Sequence, residues 1–250
     1  MSSAQPATSE PALRVLRSVF PDDGVVVDID DVDARAALLA LYQPERAEVV
    51  RLNLVSTLDG RAAGADGTSE SLTSRLDRFV LGVIRELSDV VLVGAATLRR
   101  EGYLRPRKAA LAVVSASGDL TGHRVEGDAE HPLLVFTTSD GAAAAARSIP
   151  SAEIIVLASS RAGRLSVSAC IAALRDRGLA SIVAEGGPTL AAELLAEGLV
   201  DELCLTTMPR VGGPALPLFG TGSLPVIPAT PQRLLIADDG VSFGRWDLRN

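Results

Sequence analysis

The sequence predicts an α/β fold, a mostly parallel sheet with helices on both faces and an antiparallel hairpin at the C-terminal end. Three observations carry this. Short, continuously apolar runs such as Val90–Val93 suit strands buried on both faces. Segments with apolar residues at helical spacing alternate with them, which is the pattern of parallel strands joined by crossover helices. Near the end, Asp238-Asp239-Gly240 separates two strand-like segments, a hairpin signal.

The elements follow in order. Met1–Pro11 is small and polar, without the basic-then-apolar pattern of a secretory signal. Residues 1–12 read as a disordered tail, and residues 13–250 as a single domain. Asp31–Tyr42 is a helical pattern with Leu38, Leu39 and Leu41 as its apolar residues; Asp30 or Asp31 caps it and Pro44 stops it. Val49–Val55 is a strand, followed by a polar, Gly-rich loop from Ser56 to Ser71. Thr73–Leu87 is a helix, with Leu76, Phe79, Val80, Val83, Ile84 and Leu87 at helical spacing. Val90–Val93, Ala109–Ser115 and Leu133–Thr137 are strands, and Asp140–Arg147 is a short helix. Ile154–Ala158 and Val167–Arg177 form a strand–helix pair. So do Ser181–Ala184 and Pro188–Glu197. Asp201–Thr207 is a further strand. A long Pro/Gly-rich connection, Pro209–Pro231, leads to the hairpin over Gln232–Asp247.

Composition narrows the function. Hydrophobic residues make up 47% and charged residues 22% of the 250 residues, which suits a globular chain with a sizeable core. The net charge of −7 disfavours nucleic acid and anionic membrane as partners. No apolar run approaches the roughly 18 residues of a membrane span, and a cytoplasmic protein is expected. Two cysteines exclude a disulfide scaffold. Cys170 in a helical pattern and Cys204 in a strand pattern read as small core residues. A zinc site would need both of them with both histidines, or a carboxylate; no metal is expected.

Two segments share one form. Val90–Val93 leads into Gly94-Ala95-Ala96-Thr97-Leu98, and Ile182–Glu185 leads into Gly186-Gly187-Pro188-Thr189-Leu190. Each is a strand, then small residues, then the start of a helix with Thr in its first turn. Small residues admit a ligand to the backbone, and a first helical turn offers unpaired N–H groups and positive dipole. Such a turn suits a phosphate, and Pro188 fits the first helical position. Ordinary tight strand-to-helix turns are the other reading. Neither G-x-G-x-x-G nor a P-loop occurs. A third segment, Asn53–Arg61, leaves a strand with Ser56, Thr57, Asp59 and Arg61; it suits either recognition of a polar heterocycle or plain Asp-Gly turn chemistry. The nucleophile elbow, the H-E-x-x-H helix and the zinc-deaminase motif are missing. Chemistry residing in a cofactor is therefore expected, with hydride transfer from a nicotinamide leading.

Together these motifs resemble the reductase domain of bacterial riboflavin biosynthesis, a relative of dihydrofolate reductase. The carriers are Ser56-Thr57-Leu58-Asp59-Gly60, Leu72-Thr73-Ser74, Asp89–Thr97, Glu185–Leu190, and Leu199–Leu203 followed by Pro209 and Gly212-Gly213. The resemblance implies a dihydrofolate-reductase-like sheet of the nine-stranded type, a homodimer, and NADPH bound across the two glycine-containing turns. Val93, Gly94, Ala95 and Thr97 would meet the cofactor from one side, and Gly186, Gly187, Thr189 and Leu190 from the other. Ser115, with Ser117, is the candidate for a 2′-phosphate; NADH or a deazaflavin stays open as the donor. The implied reaction reduces the ribosyl group of 5-amino-6-(5-phosphoribosylamino)uracil by hydride transfer to the sugar C1. Asp59 and Glu185 are the expected catalytic residues, and Asn53, Ser56, Arg61 and Thr73 the expected substrate contacts. The stretch Glu101–Arg107 departs from the resembling pattern; there Arg105 is a candidate for the substrate phosphate and Tyr103 for stacking on a flat ring. A pterin or dihydrofolate reductase, with Asp59 gripping an aminopyrimidine edge, and a non-catalytic nucleotide-binding protein are the alternatives.

Overall fold

The structure, a computed structural model, describes residues 14–100, 106–125, 131–159 and 163–249. The described residues begin with two strands where the sequence suggested no element. β1 (Val15–Phe20) and β2 (Val26–Asp28) pair antiparallel. The helix α1 (Ala34–Tyr42) leads to β3 (Val49–Thr57). That strand runs further than expected: Ser56 and Thr57 belong to it, not to the loop, because they pair with Thr207 and Met208. α2 (Arg75–Glu86) starts where Ser74 caps it, its hydroxyl accepting the Asp77 N–H at 3.1 Å. β4 (Val90–Gly94) passes directly into the short α3 (Ala95–Arg100). Then come β5 (Ala110–Val114), β6 (Leu133–Thr137), α4 (Ala142–Ser148), β7 (Glu153–Val156), α5 (Val167–Arg175), β8 (Ser181–Gly186), α6 (Pro188–Ala196) and β9 (Glu202–Met208). The hairpin β10 (Thr230–Ala237) and β11 (Ser242–Asp247) ends the fold, with Gly240 at φ +83° in its turn.

The eleven strands of the described residues join one sheet in the order β2-β1-β10-β11-β9-β3-β8-β4-β5-β6-β7. The block from β9 to β7 is parallel, and β11, β10, β1 and β2 extend it antiparallel. This is the expected fold class, a mostly parallel sheet with helices on both faces and a C-terminal antiparallel pair. The N-terminal strands take the sheet beyond the nine-stranded type.

Strand alternation divides the core in two. Val91, Val93 and Val183 pack against α1 and α2, whose buried residues include Leu38, Tyr42, Leu76, Val80 and Ile84. Val50, Leu52, Leu92, Ile182 and Ala184 pack on the opposite face against α5 and α6. Cys170 and Cys204 are both buried. Among the described residues, no helix is long and apolar enough to cross a membrane. The parallel block exposes its carboxyl edge where β3, β8 and β4 lie side by side. Ligands of open α/β sheets bind at such edges.

Candidate active site

The two similar turns are neighbours. β4 and β8 pair directly, with Val93 opposite Gly186, so α3 and α6 start next to each other at one edge. The Gly187 N–H donates to Thr97 Oγ1 at 2.9 Å, which ties one turn to the other. Gly186 has φ +88°, a left-handed conformation that favours glycine, and its peptide to Gly187 is cis. A Cβ at Gly187 would stand 3.0 Å from Thr97 Oγ1, so a side chain there would fill the space between the turns.

Below the turns lies a cleft of about 800 Å³, between the sheet and α2. Asn53 and Val55 of β3 and Glu185 of β8 form its floor, and Thr97 and Gly187 border it. Thr73, Asp77, Leu81 and Arg85 form one wall. Their four-residue spacing puts them in one line along α2 and the residue ahead of its cap. Arg85 grips Glu185 through two bonds, Nε to Oε1 at 2.6 Å and Nη2 to Oε2 at 2.7 Å. A bidentate pair of this kind fixes the position and orientation of the carboxylate. Asp77 accepts from Thr73 Oγ1 at 2.7 Å. Desolvation in the cleft wall pushes the Asp77 carboxyl above the ordinary carboxylate range, and bonds from Thr73 and Thr206 only partly offset it.

Thus Asn53, Thr73, Thr97, Glu185 and Gly187 meet in the cleft. Val93 supports its rim from the core, while Gly94 and Ala95 form the β4–α3 turn. Thr189 is exposed on the first turn of α6, and Leu190 is buried in the core beneath it. Apart from these turn residues, four further expected residues, Ser56, Asp59, Arg61 and Ser115, do not line the cleft. Ser56 points to the other face of the sheet because strand side chains alternate, and it lines a separate pocket of about 390 Å³ with Leu205 and Phe219. Asp59 is engaged in its own loop: it accepts from Thr57 Oγ1 at 2.6 Å, Arg61 Nε at 3.0 Å and the Gly212 N–H at 3.1 Å. These bonds, Thr57 first, hold its carboxyl down to about 2. Arg61 is spent on Asp59 and on the Pro214 carbonyl. Ser115 is buried just beyond β5. Tyr103 and Arg105 lie outside the described residues. Sequence reasoning missed Asp77 and Arg85, as well as Arg78, Arg100 and Arg124 at the cleft border. The signal available for the first two was their common helix face with Thr73.

Comparison with known proteins identifies the family and the fold. The model of the RibD C-terminal domain family matches residues 48–236. The riboflavin biosynthesis protein RibD of Chlamydia pneumoniae is 26% identical over 210 residues, covering 78% of this chain and 56% of that protein. The RibD of Escherichia coli K12 is 28% identical over 184 residues, covering 66% and 49%. The chain therefore spans about half the length of these relatives. A pyrimidine reductase-like protein from Corynebacterium diphtheriae shares the fold with a TM-score of 0.68 at 23% identity, over 85% of this chain and 95% of that one. A Thermotoga maritima deaminase/5-amino-6-(5-phosphoribosylamino)uracil reductase superposes with a TM-score of 0.66 at 23% identity, over 88% and 62%. With three-quarters of its length matched by one family model and its sheet shared with these structures, the chain belongs to the RibD C-terminal domain family.

Proposed function

We propose that the chain is a riboflavin-pathway pyrimidine reductase, which uses NADPH to reduce the ribosyl group of 5-amino-6-(5-phosphoribosylamino)uracil to a ribityl chain. The observation that carries this reading is the side-by-side placement of the two turns at the mouth of one cleft. Membership of the RibD C-terminal domain family supports a nicotinamide-dependent reductase in general. Glycine at position 187 also leaves the gap between the turns unfilled, since a Cβ there would already stand 3.0 Å from Thr97 Oγ1.

Gly94, Ala95 and Thr97 hold the cofactor from one side in this reading, and Gly186, Gly187 and Thr189 from the other. Val93 and Leu190 back the turns, and Ser115 serves the 2′-phosphate. Bound there, NADPH supplies the hydride. Glu185, fixed in place by Arg85, favours positive charge on the substrate's ribosylamine nitrogen when the sugar ring opens. Asn53 and Thr73 orient the heterocycle. Arg78, Arg100 and Arg124 border the cleft and supply charge for the substrate phosphate. Asp59 and Arg61 act as positioning residues, since they brace the loop that carries Ala62 and Ala63 into the cleft wall. A homodimer in the cytoplasm completes the reading, and sedimentation velocity tests the dimer.

The decisive assay follows NADPH consumption by the purified chain with this uracil substrate and, separately, with dihydrofolate. Consumption with the uracil substrate alone is the expected result. Turnover only with dihydrofolate moves the assignment to a pterin reductase. Tight NADPH binding without turnover of either leaves a nucleotide-binding protein.

A further inference from the structure

Of the carboxylates that line the cleft, Glu185 and Glu70 are paired with Arg85 and Arg78, while Asp66 and Asp77 are held by hydroxyls, and of these two Asp66 is exposed to water. Outside the lining, Asp59 has Arg61 and Glu202 has Arg51 and Arg245. Around Asp77, Thr73 Oγ1 donates to its Oδ2 at 2.7 Å, and the Thr206 hydroxyl on β9, the strand position beside Val55, adds a smaller stabilising influence. Among the described residues, no Arg or Lys forms an ion pair with it; Arg78 acts on it only through the longer-range field, and Glu185 opposes its ionisation.

The position of Asp77 is equally unusual. It occupies the first turn of α2, where an acidic side chain ordinarily turns outward to water and favours the helix dipole. Here it lines the cleft, with the apolar Val55 and Leu81 also in the lining. A carboxylate accepts through two parallel oxygens and donates nothing when ionised. A desolvated carboxylate in a cleft is complemented by two adjacent N–H donors in one plane. A ring N–H flanked by an amino or ring-attached amine N–H has that form.

We propose that Asp77 is the specificity-determining residue of the cleft, binding the substrate heterocycle by an edge that presents two adjacent N–H donors. The proposal rests on the reductase reading for what enters the cleft, but its geometry is that of Asp77, its Thr73 partner and the surrounding cleft lining. It gives Asp77 the edge-gripping role that sequence reasoning assigned to Asp59, whose oxygens are occupied by Thr57, Arg61 and Gly212.

A matched pair of probes isolates the edge. Pterin carries a ring N–H beside an amino group; lumazine is the same bicycle with that amino group replaced by a carbonyl. Both are titrated by fluorescence against the full chain, against Asp77→Asn and against Asp77→Ser. The expected result is that the unmodified chain binds pterin about 10- to 100-fold more tightly than lumazine, the range of a charge-assisted pair of bonds. Both variants, folded by circular dichroism, lose that preference. Equal or absent binding of the two probes by the unmodified chain overturns the proposal, as does a preference that survives in both folded variants. NADPH affinity is titrated on the same samples and is expected to be unchanged by either substitution. Failure of the unmodified chain to bind NADPH counts against the reductase reading, while the probe pair still decides the role of Asp77.

Discussion

Two aspartates separated by 18 positions illustrate how environment sets the work of a side chain. Asp59 sits in a turn, accepts three hydrogen bonds and has its carboxyl held down to about 2. A carboxyl held below its unfolded value of 3.8 contributes stability above that value, and the contribution is lost as pH falls toward about 2. Asp59→Asn is therefore expected to flatten the acid limb of the stability curve in that window. The effect is small and weakened by salt, because the group is exposed. Urea melts across the acid range check this. Asp77 has the opposite sign. Desolvation raises its carboxyl in the folded state, so stability falls as pH rises through the range where the unfolded carboxyl ionises. The groups that act on it are Thr73 and Arg78 around the start of α2, Thr206 on β9, Glu185 on β8 and the nearby Tyr42 of α1. Asp77→Asn is expected to raise the melting temperature without ligand, with a larger gain near pH 7 than near pH 3. A gain independent of pH would show that desolvation of the charge is not the cause. Stability sacrificed for an ionised group in a cleft is a common feature of binding sites.

At the level of elements, much of the site was legible because it rests on local pattern. The apolar runs of β4 and β8, followed by small residues and a first-turn Thr, were readable as paired turns, and direct pairing of the strands brings them together. Asp77 was not legible. In the sequence an acidic residue three positions after Ser74 has the form of an ordinary helix start, and only the tertiary structure reveals that this start faces a cleft. Ser56 failed for a different reason: its strand continues one period past the expected end, and alternation turns it to the opposite face. The glycine turn yields a paired prediction. Gly187 has φ −39°, which does not require glycine, whereas Gly186 has φ +88° and Leu54 Cδ2 would lie 3.1 Å from an added Cβ. Gly187→Val is expected to leave the chain folded and weaken NADPH binding at least about tenfold, about 1.4 kcal/mol. Gly186→Ala is expected to cost about 1–2 kcal/mol of stability, the penalty of a left-handed residue with a Cβ. Thermal melts and NADPH titrations on both variants separate the two effects. Unchanged NADPH binding in Gly187→Val would remove the turn from the cofactor site.

Across the whole molecule, the order of strands depends on contacts that no local pattern encodes. β1 has only short alternation, and its partner β10 lies at the other end of the chain. The joint that unites these distant parts is an ionic cluster inside the protein. Glu202 on β9 accepts from Arg51 of β3 at 2.9 Å and from Arg245 of β11 at 2.9 and 3.0 Å. The same arginines donate to the Tyr42 and Leu41 carbonyls at the end of α1. One carboxylate thus joins three neighbouring strands to the helix that packs on α2, the wall of the cleft. Arg51, Glu202 and Arg245 are 0%, 2% and 7% exposed, so solvent cannot replace a missing partner. Both guanidiniums hold the Glu202 carboxyl below its ordinary value despite desolvation that acts in the other direction. Glu202→Gln keeps the shape but removes the charge, leaving two buried cations without a counter-ion. The expected loss is about 3–5 kcal/mol, at about 2–4 °C of melting temperature per kcal/mol for a domain of this size. Acid should reproduce the effect, because a carboxyl lowered in the folded state loses its stabilising contribution as pH falls through its folded value. The variant should therefore show a weaker acid dependence than the unmodified chain. A Glu202→Gln protein with an unchanged melting temperature would mean that the cluster is a passenger in the core and that hydrophobic packing alone joins the antiparallel strands to the parallel block.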